Sequence, residues 1–245
     1  MGKFYFQKIS KKFIKIFYKP YLTRLANKYG SDKGTKHERK HNYTHVYDKL
    51  FKPLRKKKIN LLEIGLQFDT EKNNCPSLNM WADYFPKARI YGFDIRDFSS
   101  INMPRIKIFK GNQGKRDDLI KLINGIGSNL DIIIDDGSHA PHHQQISLAY
   151  LFPLLKNKGL YIIEDLHWMP ETITDEPEYY KTKYMPTKDI FKGYIRNGVI
   201  KSNVIDRDQA KYLERNISNC EFYSSQSPLK PHLDHKNSLL VIFKK

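Results

Sequence analysis

The sequence predicts an α/β fold built on a doubly wound, mostly parallel sheet of seven strands, and three observations support this. From residue 59 onward, short apolar runs alternate with helical segments, as in βαβ units joined by right-handed crossovers. Two of the runs, 130–135 and 160–163, are continuous and β-branched, which is typical of strands covered on both faces. Near the C-terminus, two further runs are separated by a polar stretch without helical pattern. They indicate a closing hairpin and an antiparallel last strand.

The predicted elements follow in order along the chain. The predicted strands are 59–64, 89–94, 105–109, 130–135, 160–163, 220–223 and 239–243. The predicted helices are 79–85, 117–123 and 143–155. About fifty residues, 167–216, are inserted after the fifth strand, and they are rich in Tyr and contain Trp168. Long insertions at the carboxyl edge of a sheet usually form lids or binding loops. Their aromatic side chains either stack on a sugar ring or a base, or hold the insertion to its own domain.

The charge distribution divides the chain into two parts. The net charge is +17, and residues 1–58 hold 18 Lys and Arg against three acids, a surplus of +15. We therefore predict a basic N-terminal arm and lead-in over 1–58 and a nearly neutral globular domain over 59–245, a length sufficient for an ample core. A neutral domain argues against a nucleic acid as substrate.

Apolar residues recur at helical spacing within residues 1–19, among lysines. This pattern suits a helix lying on an anionic membrane surface. Three alternatives stay open: packing on the chain's own domain, packing on a second copy in a homo-oligomer, or binding a polyanion. No signal-peptide pattern, spanning segment or paired-cysteine motif is visible, so we expect a cytoplasmic location.

Paired acids end the fourth and fifth predicted strands. Asp135 and Asp136 are followed by His139, and Glu164 is followed by Asp165. Ligands bind beyond the carboxyl ends of parallel strands, and on neighbouring strands these four carboxylates would converge. Like charges at such short distances repel each other unless a cation or a proton lies between them. The alternative is that the acids only cap the helices that follow.

The first two strands indicate the ligand. A dinucleotide-binding turn requires several glycines after the first strand, whereas this chain has only Gly65 there. Glu63 and Gly65 at the first strand and Asp94 at the tip of the second fit S-adenosylmethionine, whose ribose hydroxyls donate to such an acid. The sequence thus favours an adenosyl cofactor over NAD.

A set of motifs carries a specific resemblance. In order, they are Lys28-Tyr29-Gly30-Ser31-Asp32-Lys33-Gly34, Tyr43, Tyr47, Leu61-Leu62-Glu63-Ile64-Gly65, Met80-Trp81, Tyr84-Phe85-Pro86, Ile90-Tyr91-Gly92-Phe93-Asp94-Ile95, Gly111-Asn112-Gln113, Asp135-Asp136-Gly137-Ser138-His139 and Ile163-Glu164-Asp165-Leu166. Over residues 22–170 the chain resembles the class I sugar O-methyltransferases of the macrocin and mycinamicin type. Gln67 and Asn112 depart from that pattern, where relatives often have Gly and Asp.

The resemblance implies an activity and a site. It implies S-adenosylmethionine-dependent methylation of a sugar hydroxyl on a nucleotide-sugar or glycan. It implies Mg²⁺ held by Asp136, Glu164 and Asp165, with His139 as the base. The implied cofactor contacts are Glu63, Gly65, Asp94, Ile95, Asn112, Gln113 and Asp135.

Other interpretations stay open at this point. The acceptor could be a phosphate-type oxygen or a nucleic acid, or the chain could be a non-catalytic, membrane-associated binding protein. His139 could be a structural residue, and His142 and His143 are interpreted as a solvated helix start.

Overall fold

The computed structural model describes residues 20–38, 40–67, 74–98, 100–179, 183–225 and 235–245. The amphipathic helix predicted within residues 1–19 lies outside them, as do Tyr180 and the prolines of the predicted C-terminal hairpin loop. Within the described ranges, no helix has the length and apolar character needed to cross a membrane.

The elements alternate as the sequence predicts. The strands are β1 (Asn60–Ile64), β2 (Arg89–Asp94), β3 (Ile106–Lys110), β4 (Leu130–Asp135), β5 (Leu155–Ile163), β6 (Ile217–Tyr223) and β7 (Leu239–Lys244). The described helices are α1 (Tyr21–Tyr29), α2 (Thr44–Phe51), α3 (Pro76–Tyr84), α4 (Arg116–Ile126), α5 (Pro141–Leu151), α6 (Thr187–Asn197) and α7 (Arg207–Asn216). Short 3₁₀ turns follow α2 and α5, at Lys52–Leu54 and Phe152–Leu154.

The strands form one seven-stranded sheet in the order β3-β2-β1-β4-β5-β7-β6. Strands β1 to β5 are parallel, whereas β7 is antiparallel to both β5 and β6. This confirms the predicted doubly wound sheet with its antiparallel last strand. The strand order reverses between β1 and β4, and ligands bind at such switch points, outside the carboxyl ends of the strands.

Helix ends differ from the prediction for a local reason. The helix predicted over 143–155 ends at Leu151, and β5 already begins at Leu155. Pro153 explains the early end, because proline has no N–H to continue the helix ladder. Phe152 keeps helical backbone angles, and the chain passes there into the 3₁₀ turn. Helix α5 begins at Pro141, before its predicted start, and α3, of which 79–85 is predicted to be a part, begins at Pro76. Proline is well suited to the first helical position.

Helices cover both faces of the sheet. Helices α1, α2 and α3 pack on one face, and α4 to α7 pack on the other. On the first face the rings of Tyr47 and Phe51 stack 5.1 Å apart, and Phe51 meets Trp81 edge-on at 5.8 Å. The described part of the predicted lead-in, residues 20–38 and 40–58, therefore shares a core with the sheet.

Candidate active site

A cavity of about 1100 Å³ opens at the carboxyl ends of the parallel strands. Eight of the residues singled out from the sequence line it: Gly65, Asp94, Ile95, Asn112, Gln113, Asp136, His139 and Asp165. The other three, Glu63, Asp135 and Glu164, are at most 1 % exposed. The structure thus gathers the predicted residues at one place, some on the cavity wall and some buried.

Gly65 fixes how β1 meets the loop after β4. Its φ of +79° lies in the left-handed region, and a Cβ atom there would come within 2.1 Å of the Asp136 carbonyl oxygen. No side chain fits that space. The close approach places Asp136 directly beside the end of β1, where the Asp136 N–H donates to the Ile64 carbonyl at 2.9 Å.

Asp94, at the tip of β2, is already engaged within the chain. Its Oδ2 accepts from the Leu66 N–H at 2.7 Å, and its Oδ1 accepts from the Arg96 N–H at 2.8 Å. The Arg96 guanidinium contacts the same carboxylate at 3.2 Å. These donors fix the orientation of the carboxylate at the cavity wall.

Gln113 links the predicted cofactor strands to the acidic loop. Its Nε2 donates to Asp135 Oδ1 at 3.0 Å and to Ser147 at 3.2 Å, and its Oε1 accepts from the Ser138 N–H at 2.8 Å. Burial raises the pKa of Asp135 to about 6, although the hydrogen bonds from Gln113 and from the Gly137 N–H lower it. Gln113 and Asp135 thus shape the loop that carries His139.

Two carboxylates and an imidazole meet at the ends of β4 and β5. Asp136, His139 and Asp165 each bring one potential ligand atom within 4.8 Å of the others. His139 and Asp165 have left-handed backbones, with φ of 59° and 53°. Such conformations cost energy and cluster at functional sites. The His139 Nδ1 is buried without a hydrogen-bond partner among the described residues.

Glu164 is placed differently from the other two predicted metal ligands. It is buried, and its Oε1 accepts from the Tyr47 hydroxyl at 2.5 Å. The same oxygen lies 3.0 Å from Lys33 Nζ. Burial raises the pKa of Glu164 well above its usual range, and the nearby Asp136 carboxylate adds to this.

Lys33 lies among three acids. Its Nζ contacts the carboxylates of Asp136 and Glu164 and lies 3.6 Å from Glu63 Oε1. The side chain is 1 % exposed. Burial opposes the charge of Lys33, but the surrounding carboxylates outweigh it and raise its pKa well above the ordinary value. The intervening cation expected between the acids is thus supplied in part by the chain itself.

Asp165 faces a second group of side chains from the lead-in. Its Oδ1 accepts from the Tyr43 hydroxyl at 2.7 Å and lies 3.4 Å from His41 Nδ1. Burial would raise the pKa of Asp165, but His41, His139 and the Tyr43 hydroxyl together lower it. This carboxylate is held ionised.

The insertion is attached by its aromatic residues. Tyr179 and Tyr184 stack on the His142 ring, with centroids 5.4 and 4.2 Å apart. Trp168 packs against the His139 ring at 5.4 Å and is 38 % exposed. The two tyrosines hold the insertion to its own domain, and Trp168 remains accessible beside the acidic loop.

The prediction that His142 and His143 form a solvated helix start is wrong. Both side chains are buried, because Glu176 from the insertion accepts from both rings, at 2.7 and 2.6 Å. Their partner lies more than thirty residues away in the chain, so the local sequence gives no sign of it.

The fold is that of the class I methyltransferases. The structure of MycE methyltransferase from the mycinamycin biosynthetic pathway, in complex with Mg and SAH, superposes with a TM-score of 0.67 at 28 % identity. The match covers 93 % of this chain and 55 % of MycE.

Curated sugar O-methyltransferases match the same chain at higher identity. Mycinamicin VI 2''-O-methyltransferase of Micromonospora griseorubida is 37 % identical over 150 residues, covering 60 % of this chain and 36 % of the relative. Demethylmacrocin O-methyltransferase of Streptomyces fradiae is also 37 % identical over 150 residues, 60 % of this chain and 37 % of the relative. The predicted resemblance is confirmed, although the chain spans little more than a third of the length of these relatives. No protein-family model matches the chain.

Proposed function

We propose that this protein is an S-adenosylmethionine-dependent O-methyltransferase that acts on a sugar hydroxyl with the help of Mg²⁺. One observation carries the proposal: the same cavity joins the adenosyl-type residues Gly65 and Asp94 to the group Asp136, His139 and Asp165. Similarity to sugar O-methyltransferases supports it, as does MycE, solved with Mg, SAH and mycinamycin VI.

The residues fit the two bound groups that the proposal needs. Asp94 would accept from the ribose hydroxyls, and the turn at Gly65 would approach the cofactor closely. Asp136 and Asp165 offer the hard oxygen ligands that Mg²⁺ prefers, with Glu164 as the predicted third. When bound, the ion would supply a charge that lowers the pKa of a sugar hydroxyl.

Residues of the chain itself would deprotonate the acceptor hydroxyl and cover the sugar ring. A sugar hydroxyl is a poor nucleophile and must lose its proton as it attacks the methyl group in line with the S–CH₃ bond. His139 would accept that proton as the general base. Trp168, exposed beside His139, would cover the sugar ring.

The charge of the cavity favours a sugar hydroxyl over a phosphate-type oxygen. Among its described lining residues, six are acidic and one is an arginine: Asp32, Glu38, Asp94, Asp136, Asp165, Asp175 and Arg96. Acids at the reacting end disfavour a phosphate oxygen at that position as the methyl acceptor and leave a neutral hydroxyl unaffected.

The test is direct detection of the methylated product. The protein is incubated with S-adenosylmethionine, Mg²⁺ and a panel of nucleotide-sugars and oligosaccharides, followed by mass spectrometry and by NMR to locate the new ether. We expect a methyl ether on a sugar hydroxyl and its loss in Asp94→Ala. Methylation of a phosphate oxygen, or cofactor binding with no transfer to any sugar, would count against the proposal.

A further inference from the structure

A tight turn of the insertion contributes to the cavity wall. The Glu176 N–H donates to the Ile173 carbonyl at 3.0 Å, and the two residues form an isolated bridge. Asp175 lies within this turn, and both Ile173 and Asp175 line the cavity. Part of the ligand-binding surface thus comes from a segment outside the family resemblance.

The turn is fixed to the fold on one side by Glu176. Its two carboxylate oxygens lie 2.7 Å from His142 Nε2 and 2.6 Å from His143 Nε2. Both histidines belong to α5 and are buried. The two buried rings thus attach the turn at Glu176, whereas Asp175 itself is exposed.

On its other side, the turn contacts the residue that follows β3. Asn112 Nδ2 donates to Asp175 Oδ2 at 3.0 Å, and Asn112 Oδ1 accepts from the Gly114 N–H at 2.7 Å. The amide of Asn112 is therefore used in both directions within the chain. Lys115 Nζ lies 3.8 Å from the same Asp175 Oδ2. A carboxylate has two oxygens that only accept, so the remaining capacity to accept from a ligand at this contact belongs to Asp175 Oδ1.

The order of residues along the sheet edge indicates which part of the cofactor lies there. The acids of β4 and β5 mark the reacting end, Asp94 marks the ribose on β2, and Asn112 follows the outermost strand β3. In S-adenosylmethionine the ribose lies between the sulfonium and the adenine. Placing the methyl group at the acids and the ribose at Asp94 therefore leaves the adenine beside Asn112 and Asp175.

We infer that Asp175 is a specificity residue that accepts a hydrogen bond from the exocyclic amino group of adenine. The inference rests on the proposed function. It explains how the chain can bind adenine with the neutral Asn112 where relatives often have an acid: the carboxylate comes from the insertion. The exocyclic group of adenine is an amino group, which donates, whereas that of hypoxanthine is a carbonyl, which only accepts and is repelled by a carboxylate. A site built around a donor rejects the analogue that lacks it.

The experiment compares S-adenosylhomocysteine with S-inosylhomocysteine by titration calorimetry. Wild-type protein should prefer the adenosyl ligand by about tenfold or more, as expected for a hydrogen bond to a charged group. Asp175→Asn should lose most of this preference. Asp117→Asn, an exposed acid in the first turn of α4, is the charge-matched control and should keep it.

A double variant separates recognition from simple attachment of the turn. In Asn112→Asp combined with Asp175→Asn, the carboxylate and the amide exchange places, and a carboxylate remains beside the adenine. The preference for the adenosyl ligand should therefore return. An unchanged ligand ratio in Asp175→Asn, or a double variant no better than Asp175→Asn, would overturn the inference alone. Failure of wild-type protein to bind S-adenosylhomocysteine would overturn the proposed function and this inference with it.

Discussion

The ammonium group of Lys33 lies 3.0 Å from the Glu164 carboxylate, inside the protein and between segments that are 131 residues apart in the chain. Lys33 follows α1, whereas Glu164 follows β5. The contact joins the lead-in to the centre of the acidic site. Two tyrosines of the same lead-in, Tyr43 and Tyr47, donate to Asp165 and Glu164.

Removing the charge of Lys33 should destabilise the fold. Lys33→Met keeps the length of the side chain but leaves buried carboxylates without their cation, which costs about 3–5 kcal/mol when one partner of a buried pair is removed. Urea unfolding measures this free energy. Lys28→Met, which removes an exposed lysine paired with Asp83, is the matched control and should change little. Equal stabilities of wild type and Lys33→Met would show that the buried contact is not formed.

The stability of the protein should depend on pH through Glu63. Burial raises the pKa of Glu63 to about 7, above the value of about 4.5 expected in the unfolded chain. The folded state therefore binds more protons between these values, so this contribution to stability is complete below pH 4.5 and is lost as the pH rises through 7. Glu63→Gln should remove this pH dependence. Between pH 5 and pH 8, the free energy of unfolding of the variant should therefore rise by about 3 kcal/mol relative to that of the wild type. Parallel stability curves for the two proteins would contradict the buried, protonated state of Glu63.

Asp94 should contribute directly to cofactor affinity. Asp94→Ala removes a carboxylate already oriented by Leu66 and Arg96, and we expect S-adenosylhomocysteine to bind about 1.5–3 kcal/mol more weakly. Calorimetry gives this value, and Asp97→Ala on the exposed side of the same loop is the control. Unchanged affinity in Asp94→Ala would place the ribose elsewhere.

His139 should act on the acceptor and not on the cofactor. His139→Ala should lower turnover by about 10²–10⁴-fold, the range for a lost general base. Its affinity for S-adenosylhomocysteine should stay at the wild-type value. His45→Ala, an exposed histidine of α2, is the control for turnover. A variant at His139 with near-normal turnover would assign the histidine a structural role.

Removing divalent ions should separate binding from chemistry. Excess chelator should abolish turnover, because without the ion the sugar hydroxyl is no longer acidified. Added Mg²⁺ should restore it. S-adenosylhomocysteine should still bind, because Gly65 and Asp94 do not depend on the ion. Full turnover in chelator would make Asp136 and Asp165 structural acids.

The sequence predicts the sheet well because its signals are local. The apolar runs of β4 and β5 and their terminal acids identify both strands and the edge where they meet, and Asp135 indeed pairs beside Ile163. At Gly65 the sequence predicts a close approach of the cofactor, and the structure shows that the backbone of the loop after β4 approaches there.

The partners of the site residues are harder to predict because they depend on tertiary contacts. Lys33 looks like one of many lysines in a basic lead-in, yet it is buried among acids. Its place in the motif Gly30-Ser31-Asp32-Lys33-Gly34 was the available signal. The contact of Glu176 with His142 and His143 had no comparable signal, because no spacing rule links an insertion to a helix that precedes it.

A crystal structure with S-adenosylhomocysteine and Mn²⁺ tests the central claim most directly, because Mn²⁺ replaces Mg²⁺ and can be located by its anomalous scattering. We expect both ligands in one cavity, with the ribose hydroxyls on Asp94 and the metal on Asp136 and Asp165, and with His139 facing the side left open for the acceptor. The nucleoside bound outside this cavity, or no metal at these carboxylates with the nucleoside in place, would contradict it.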